Sequence, residues 1–513
     1  MRSKKLTDAF YVQKVELISS LFKNNKNKGM LPMQQEEIVK QLQKFREKIY
    51  QNFPSRRDAA IELIDALSSN KTATSVVELS LSSLHRRNYC SITRVLDEYL
   101  STDVHVALQQ KEILTHLLSS AIPPLSQRAF DLFVADCTPE SRMFSPTLED
   151  RSFVYAPNAV CGNKPVTIGH KYSIVTYMPE KSNPNTPPWV IPLACTRVDT
   201  TQNGELLGMQ QVAACIKSQS AFSSQLSVSL GDTAYNNPLC LGVAKNNANQ
   251  VHISRARNNR RFFYPHVVDE ATEAKKRGRP KAYGDIHQLN DSSTWRAPDE
   301  SLEFIQTSVK GKVLTIKIDC WNEVIMRGKK DTKLSDYPLR LLRVQVYKES
   351  GELLFKRPFW LTAAGKRRME LSLLDIFSSY RQRFDIEHFF RFGKNRLLMD
   401  KLQTPDIRHE ETWWQLVMIA YTQLYLARTI ANSIPNPWEN YLPFFKKNET
   451  IKPPTQVQND FERIIQMIGT PAQPPKPRKK SPGRQLGDIQ TKRIRHPIVK
   501  RQKNSATDEK MVA

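Results

Sequence analysis

The sequence predicts an α/β protein in which a mixed sheet carries a β-rich insertion and follows a helical N-terminal domain. Three observations support this fold class. Residues 1–122 show helical spacing of apolar residues and contain almost no glycine. Alternating apolar patterns typical of strands begin after Pro123–Pro124. A helical pattern at Glu205–Ser218 then separates two strand patterns, as a crossover connection within an α/β sheet requires.

The N-terminal segment has the features of a DNA-binding helical domain. Met33–Tyr50 has apolar residues near helical spacing, and Ser55–Asp58 and Ser75–Glu78 both fit the capping box that begins a helix. A short helix from Ser75 and a second at Ser91–Leu100 would form a pair resembling a helix-turn-helix. The alternative is an ordinary helical bundle with solvated arginines at positions 86 and 87.

The rest of the chain divides by pattern into four further segments. We expect the α/β domain in two parts, residues 123–254 and 365–440, with the basic, β-rich insertion 255–364 between them and a basic, flexible tail at 441–513. The predicted strands are Phe130–Asp136, Tyr172–Met178, Trp189–Thr196 and Leu226–Leu230, then Lys312–Trp321, Leu341–Lys348 and Leu353–Ala363 in the insertion. The later predicted helices are Leu371–Met399 and Glu411–Ile434.

The charge of the chain indicates a polyanionic partner. The 513 residues include 76 Lys and Arg against 51 Asp and Glu, a formal net charge of +25. Such an excess attracts phosphates over a long range and favours nucleic acid, with an anionic membrane surface as the alternative. No apolar run approaches the roughly 20 residues needed to cross a bilayer, and the N-terminus does not resemble a signal peptide. We therefore expect no membrane association and a cytoplasmic location.

Carboxylates are the best candidate metal ligands. The seven cysteines form no CxxC pair, and the ten histidines form no HxxxH pair beside acidic residues. Asp136 follows three apolar residues at alternating positions of one predicted strand, and Asp232 follows the same pattern in another. Period two places each aspartate on the apolar face at the carboxyl end of its strand. The alternative is that each simply begins a turn or caps a helix.

A third carboxylate lies in the segment YRQRFDIEHFFRFGK. Tyr380, Arg383, Glu387 and Lys394 stand at offsets 0, 3, 7 and 14, which on a continuous helix share an arc of about 60°. A carboxylate among cations and a phenol could coordinate a metal ion while its neighbours bind phosphate oxygens. The alternative is a solvated face with intrahelical ion pairs.

This spacing resembles the YREK signature of bacterial insertion-sequence DDE transposases. The resemblance implies an RNase H-like catalytic domain with a β insertion, in which Asp136, Asp232 and Glu387 are catalytic and bind two Mg²⁺ ions, for which Mn²⁺ can substitute. Tyr380, Arg383 and Lys394 would contact DNA. Because GDTAYNN around Asp232 lacks the aspartate-arginine context of the best-known members, Asp199 and Asp285 are retained as alternatives to Asp232.

The resemblance also implies the reaction and the partners. The enzyme would cut double-stranded DNA at transposon terminal inverted repeats and join the freed 3′-hydroxyl to target DNA, as a homodimer or larger assembly in the bacterial nucleoid. Two alternatives are a transposase-derived DNA-binding protein without activity and a metal-dependent nuclease without strand transfer.

Further DNA contacts are predicted within the insertion. Arg277 and Arg279, in KKRGRPK, resemble the AT-hook core that places arginines in a narrow minor groove. Arg255 and Arg257 precede the aromatic run Phe262–Tyr264, a combination that suits phosphate binding and stacking. Trp295 or Trp321 could stack on a displaced base. Each of these features could equally be a solvated loop or part of an apolar core.

Overall fold

The structure, a computed structural model, confirms the predicted α/β class. It describes residues 32–156, 165–181, 183, 186–266, 281–307, 311–434, 451–477, 483, 485–489 and 491–501. None of the described helices combines the length and apolar character that a membrane crossing requires. The fold is a mixed sheet covered by helices from both ends of the chain, consistent with an RNase H-like domain.

The chain begins with helices and continues with alternating strands and helices. The first helices are α1 (Pro32–Asn52), α2 (Arg57–Ser68), α3 (Val76–Leu79), α4 (Cys90–Tyr99) and α5 (Val104–Ser119). Then come β1 (Phe130–Ser141), β2 (Ser152–Tyr155), β3 (Val166–Tyr177), β4 (Ile191–Val198), α6 (Gly204–Ser218), α7 (Ser220–Ser223), β5 (Leu226–Gly231), α8 (Pro238–Lys245) and β6 (Gln250–Ala256).

The later elements complete the sheet and its helical cover. The strands are β7 (Arg261–Phe263), β8 (Ile286–Gln288), β9 (Glu300–Thr307), β10 (Val313–Ile325), β11 (Pro338–Lys348) and β12 (Phe359–Ala364). The helices are α9 (Leu373–Gln382), α10 (Asp385–Arg396), α11 (Ile407–Ser433) and α12 (Pro454–Ile468).

Twelve strands of the described chain form one sheet in the order β2-β3-β1-β5-β6-β12-β11-β10-β7-β8, with β4 beside β3 and β9 beside β10. The pairs β1–β5 and β5–β6 are parallel, whereas the other pairs are antiparallel. The β-rich insertion therefore extends the central sheet, because β12 pairs with β6 at its root. Of the predicted strand Leu353–Ala363, only the part from Phe359 onwards is a strand, and that strand ends at Ala364.

The N-terminal helices share the core of the sheet instead of forming a separate unit. Apolar side chains of α1, α2 and α4 belong to the same buried cluster as those of β1, β5 and α11. Arg46 of α1 forms a buried ion pair with Asp65 of α2 and donates to Gln423 of α11 at 2.9 Å. The buried apolar core is therefore continuous across the predicted domain boundary at residue 122.

Both helices of the predicted helix-turn-helix pair are present. Ser75 caps the short first helix, Val76–Leu79, by accepting from the amide of Glu78, and the second helix spans Cys90–Tyr99. Arg86 and Arg87 both pair with the buried Glu62 carboxylate, and the side chain of Arg86 is still 36% exposed. Ser55 does not cap α2, since Arg56 holds the cap position and the Ser55 hydroxyl donates to Glu98.

The segment predicted as a flexible tail from residue 441 contains an ordered helix. Helix α12 packs against α11 and buries Val457, Phe461, Ile464, Ile465 and Ile468. The prolines and cations that follow this helix predicted a flexible segment, although the apolar residues of 454–468 recur at helical spacing. This helix is part of the core, and parts of the basic segment after it also contact the fold.

A buried ionic cluster ties β1 and β3 to α11. Arg142 pairs with Glu140 and Glu410, and His170 Nδ1 lies 2.5 Å from Glu410 Oε2. Trp414 donates to Glu140 at 2.8 Å, so the lone pairs of these carboxylates are largely satisfied. His170 and Arg142 lower the pKa of Glu410, whereas burial and repulsion by Glu410 raise the pKa of Glu140.

Replacing Phe461 tests whether α12 belongs to the core. Phe461→Ala should lower the free energy of unfolding by about 3–5 kcal/mol, because it leaves a cavity where an aromatic ring is fully buried. Denaturant unfolding followed by circular dichroism measures this loss. Gln466→Ala, at an exposed position of the same helix, is the matched control and should change stability little. Equal, small effects of the two substitutions would contradict a structural role for α12.

Candidate active site

Asp136 lies where β1 no longer pairs with β5 but still pairs with β3. The pairing of β1 with β5 ends at Val134, whereas its pairing with β3 continues to Ser141. The expectation that Asp136 ends its strand is therefore wrong, because antiparallel pairing holds β1 extended for five more residues. Asp136 still lies at the carboxyl end of the parallel pair.

Asp232 lies beside Asp136 because of the strand register. The last pair in the β1–β5 ladder is Val134↔Leu230. Asp136 follows Val134 by two residues and Asp232 follows Leu230 by two residues, so both aspartates lie on the same face of the sheet. After Asp232 the chain turns into a 3-10 helix, Thr233–Tyr235, whose first turn Asp232 caps by accepting from the amide of Ala234 at 2.8 Å. Gly231 permits this turn, since a Cβ there would lie 2.4 Å from the Tyr235 Cβ.

The predicted single helix with four aligned side chains is two helices. The break falls at Arg383–Phe384, where the amides of Arg383, Ile386 and Glu387 bond to carbonyls three residues earlier. This tighter turn separates α9, which carries Tyr380, from α10, which carries Glu387 and Lys394. The four side chains therefore do not share one continuous helix face.

Arg383 connects two of the candidate carboxylates. Its guanidinium lies 3.8 Å from Asp136 Oδ2 and 3.2 Å from Glu387 Oε1. The guanidinium is buried and packs over the Phe384 ring, whereas the side chain of Glu387 is 50% exposed. Arg383 thus holds Glu387 close to the strands that carry the two aspartates.

Tyr380 and Lys394 occupy different positions around this group. Tyr380 is buried, and burial raises the pKa of its phenol, while the charges of Arg383 and Arg255 lower it. Lys394 donates to the backbone carbonyl of Pro139 at 2.8 Å, and burial lowers the pKa of its ammonium. In this structure Lys394 therefore supports β1 just beyond Asp136.

The environment of Asp136 disfavours its charged form. Burial raises the pKa of Asp136 to about 6, and the negative charges of Asp232 and Glu387 act in the same direction. Arg383 and the amide of Cys137, which donates to Oδ1 at 2.8 Å, offset part of this effect. A divalent cation would relieve the repulsion, because it favours the ionised form of each carboxylate.

The donor chemistry fits a hard divalent cation. Asp136, Asp232 and Glu387 present only carboxylate oxygens, which Mg²⁺ prefers over nitrogen and sulfur ligands. Throughout the described ranges, however, no three metal-ligating side chains already converge on one point. Here Arg383 contacts both Asp136 and Glu387, so all three carboxylates could share a metal only after Glu387 had moved relative to the guanidinium.

A basic cavity of about 680 Å³ opens beside Asp232. It is lined by Thr233, which directly follows Asp232, and by Arg255, Arg257 and Arg357. The predicted pair Arg255 and Arg257 is exposed, two residues apart at the end of β6, as a phosphate-binding surface requires. Arg357 was not predicted, because only the pairing of β11 with β12 brings its connecting loop to β6.

Several other predicted contacts are not at this site. Trp321 is buried, Trp295 packs at 5.2 Å from the Trp360 ring, and the indole nitrogens of Trp295 and Trp321 donate to backbone carbonyls, so both belong to the insertion core. Phe262 and Tyr264 are buried in the same cluster. Arg277 and Arg279 lie outside the described residues.

The two alternatives to Asp232 have other partners. Asp199 accepts hydrogen bonds from the amide and hydroxyl of Thr201, at 2.8 and 2.6 Å. Asp285 is 83% exposed and pairs with Arg296. Asp136 and Asp232 also line a separate cavity of about 370 Å³. Within the described part of the chain, neither Asp199 nor Asp285 lines it.

The raised pKa of Asp136 predicts that this residue lowers stability at neutral pH. The protonated carboxyl makes its full contribution to the free energy of unfolding below pH 4, and this contribution is lost as the pH rises through about 6. Asp136→Asn should therefore raise the free energy of unfolding by up to about 3 kcal/mol at pH 8, with little change at pH 4. Denaturant unfolding at both pH values in EDTA measures this difference. Asp285→Asn is the control, and an equal gain at both pH values would refute the assignment.

Comparison with known protein families shows the family of this chain. The family described as DDE superfamily endonuclease matches residues 48–316, just over half of the chain. The match includes Asp136 and Asp232 and ends before Glu387. Comparison with curated proteins gave no match. Members of this family cut DNA with the help of divalent metal ions, which agrees with the cluster of carboxylates and the basic cavity beside it. The chain belongs to the DDE superfamily endonuclease family.

Proposed function

We propose that the protein is a DDE transposase of the YREK-signature group, which cuts transposon ends and transfers the 3′-hydroxyl into target DNA. The observation that carries this proposal is that three sequence-distant carboxylates lie in one region of the fold. Asp136 and Asp232 stand level on neighbouring parallel strands, and Arg383 joins Glu387 to Asp136. This set matches the resemblance in residue type and in chain order.

Each side chain has a role that follows from its position. Asp136, Asp232 and Glu387 would hold two Mg²⁺ ions, or Mn²⁺ in their place, which would supply Lewis-acid chemistry for phosphoryl transfer. Arg383 would neutralise the carboxylates before metal binds and contact a phosphate oxygen afterwards. Tyr380 packs against Arg383 and would orient it, since the guanidinium carbon of Arg383 lies 5.8 Å from the centre of the Tyr380 ring. Lys394 would fix β1 at Pro139.

The basic cavity gives the DNA a path away from the carboxylates. Arg255, Arg257 and Arg357 would bind the phosphates of duplex DNA next to the scissile bond. A homodimer or larger assembly would hold two terminal inverted repeats together. The helices before residue 122 support the sheet directly, so we propose that any DNA contact they make is secondary to this structural role.

Cleavage assays test the carboxylate assignment. Purified protein with Mg²⁺ and DNA that carries the repeats flanking the coding region should cut at the repeat ends. Asp136→Asn, Asp232→Asn and Glu387→Gln should each lower the rate at least about a hundredfold, because each removes a charged metal ligand. Asp199→Asn and Asp285→Asn are matched controls and should retain activity. Full activity in any of the first three variants would refute the corresponding assignment.

The same assay separates the two alternative functions. Cleavage without joining of the 3′-hydroxyl end to a second DNA would identify a nuclease. Binding of the repeats without metal-dependent cleavage would identify a DNA-binding protein derived from a transposase. Intact carboxylates at all three positions favour the transposase, because a protein that only binds DNA has no need for a repulsive cluster of this kind.

The salt dependence of DNA binding tests the basic cavity. Arg255→Gln, Arg257→Gln and Arg357→Gln should each reduce the slope of log K against log salt concentration by about 0.9, the value for one lost contact with a duplex phosphate. Lys348→Gln is the control, since Lys348 is exposed and pairs with Glu352 away from this cavity. Fluorescence anisotropy over a salt series measures the slopes. Slopes identical to that of the wild type would contradict the proposed path.

A further inference from the structure

A second cavity, of about 370 Å³, opens at the candidate carboxylates. Asp136 and Asp232 form part of its wall, and Lys171, Phe153, Tyr155 and Arg501 also line it. None of the last four residues has a role in the function proposed above. A DNA strand bound at Asp136 and Asp232 would contact this second cavity.

The wall of the second cavity includes a segment from near the C-terminus. Residues 491–501 run past strand β2, and Val499 forms a parallel bridge with Ser152. The amide of His496 donates to Pro146 at 2.8 Å, and that of Val499 donates to Arg151, also at 2.8 Å. These backbone bonds fix the segment beside the candidate active site, although its composition predicted a flexible tail.

Arg501 brings a positive charge into this cavity. Its guanidinium donates to Ser152 Oγ and to the carbonyl of Val198, both at 3.2 Å. Neither acceptor carries charge, and across the described ranges no carboxylate lies within ion-pairing distance of Arg501. Lys171, by contrast, already binds Glu205 at 2.8 Å. Arg501 is therefore the better placed of the two to bind a phosphate.

Two aromatic rings stand exposed on the same side. Strand β2 alternates, so that Ser152 and Val154 are buried, whereas Phe153 and Tyr155 are 53% and 61% exposed. Both exposed residues line the cavity that contains Arg501. Exposed rings beside a cation suit unpaired bases, which have free faces for stacking, better than duplex DNA, whose base faces are covered.

We propose that this cavity binds unpaired nucleotides that flank the scissile phosphate. Phe153 and Tyr155 stack on the bases, and Arg501 binds a backbone phosphate. The C-terminal segment 491–501 is then part of the DNA-binding site, and its exposed cations at positions 492, 493, 495 and 500 extend the basic surface. This inference rests on the proposed function, because it takes the DNA strand to pass over Asp136 and Asp232.

Binding measurements with two matched DNAs test the proposal. One is a blunt duplex and the other is the same duplex with a short unpaired extension on the strand to be cut. All proteins carry Asp136→Asn and are measured in EDTA, so that binding is read without cleavage. Phe153→Leu and Tyr155→Leu should each weaken binding of the extended DNA about tenfold and leave the blunt duplex unchanged. Arg501→Gln should lower the salt slope for the extended DNA by about 0.7.

The controls for these binding measurements, and the results that would contradict the proposal, differ from those of the cleavage assay. Phe144→Leu removes a ring that is 90% exposed but lies outside the cavity, and Lys348→Gln removes a remote charge. Neither control should change binding. Equal losses for both DNAs in the Phe153, Tyr155 and Arg501 variants, or no loss, would overturn the proposal even if the wild type cleaves DNA. Absence of cleavage by the wild type, with the expected binding differences, would refute only the proposed reaction.

Discussion

Strands β1 and β5 pair in parallel from Phe130 and Leu226 onwards, and the candidate site depends on this register. The ladder places Asp136 and Asp232 at the same level and on the same face, toward Arg383 and the helix that carries Glu387. A shift of one residue would turn one aspartate to the opposite face of the sheet. The apolar residues that precede each aspartate prevent that shift, because it would expose fully buried side chains.

The site holds charges that the fold alone does not stabilise well. Asp136 is partly buried near two other carboxylates, and a single guanidinium, that of Arg383, offsets part of the cost. The neighbouring cluster of Glu140, Arg142 and Glu410 is different, since buried partners satisfy its carboxylates on several sides. One group of charges on β1 is thus suited to anchoring a helix, whereas the other is suited to receiving a cation.

One cavity is lined by Asp136 and Asp232 and another by the adjacent Thr233, and each receives a cation from a distant part of the sequence. Arg357 comes from the insertion, whose last strand pairs with β6 and so extends the central sheet. Arg501 comes from the C-terminal segment, which bonds to the chain at the start of β2. The positive charge of the chain is therefore partly concentrated where a DNA strand could cross the site.

The sequence by itself determined the fold class, most strands and helices, and the candidate carboxylates, because alternation and helical spacing are local consequences of burial on one face. It also indicated a polyanionic partner, which depends only on composition. Only the tertiary structure decided that β1 continues past Asp136, that α9 and α10 separate at Arg383, and that α12 joins the core. It likewise decided that Arg357 and Arg501 lie near the carboxylates. These features arise from pairing and packing between residues far apart in the chain, and no local pattern records such contacts.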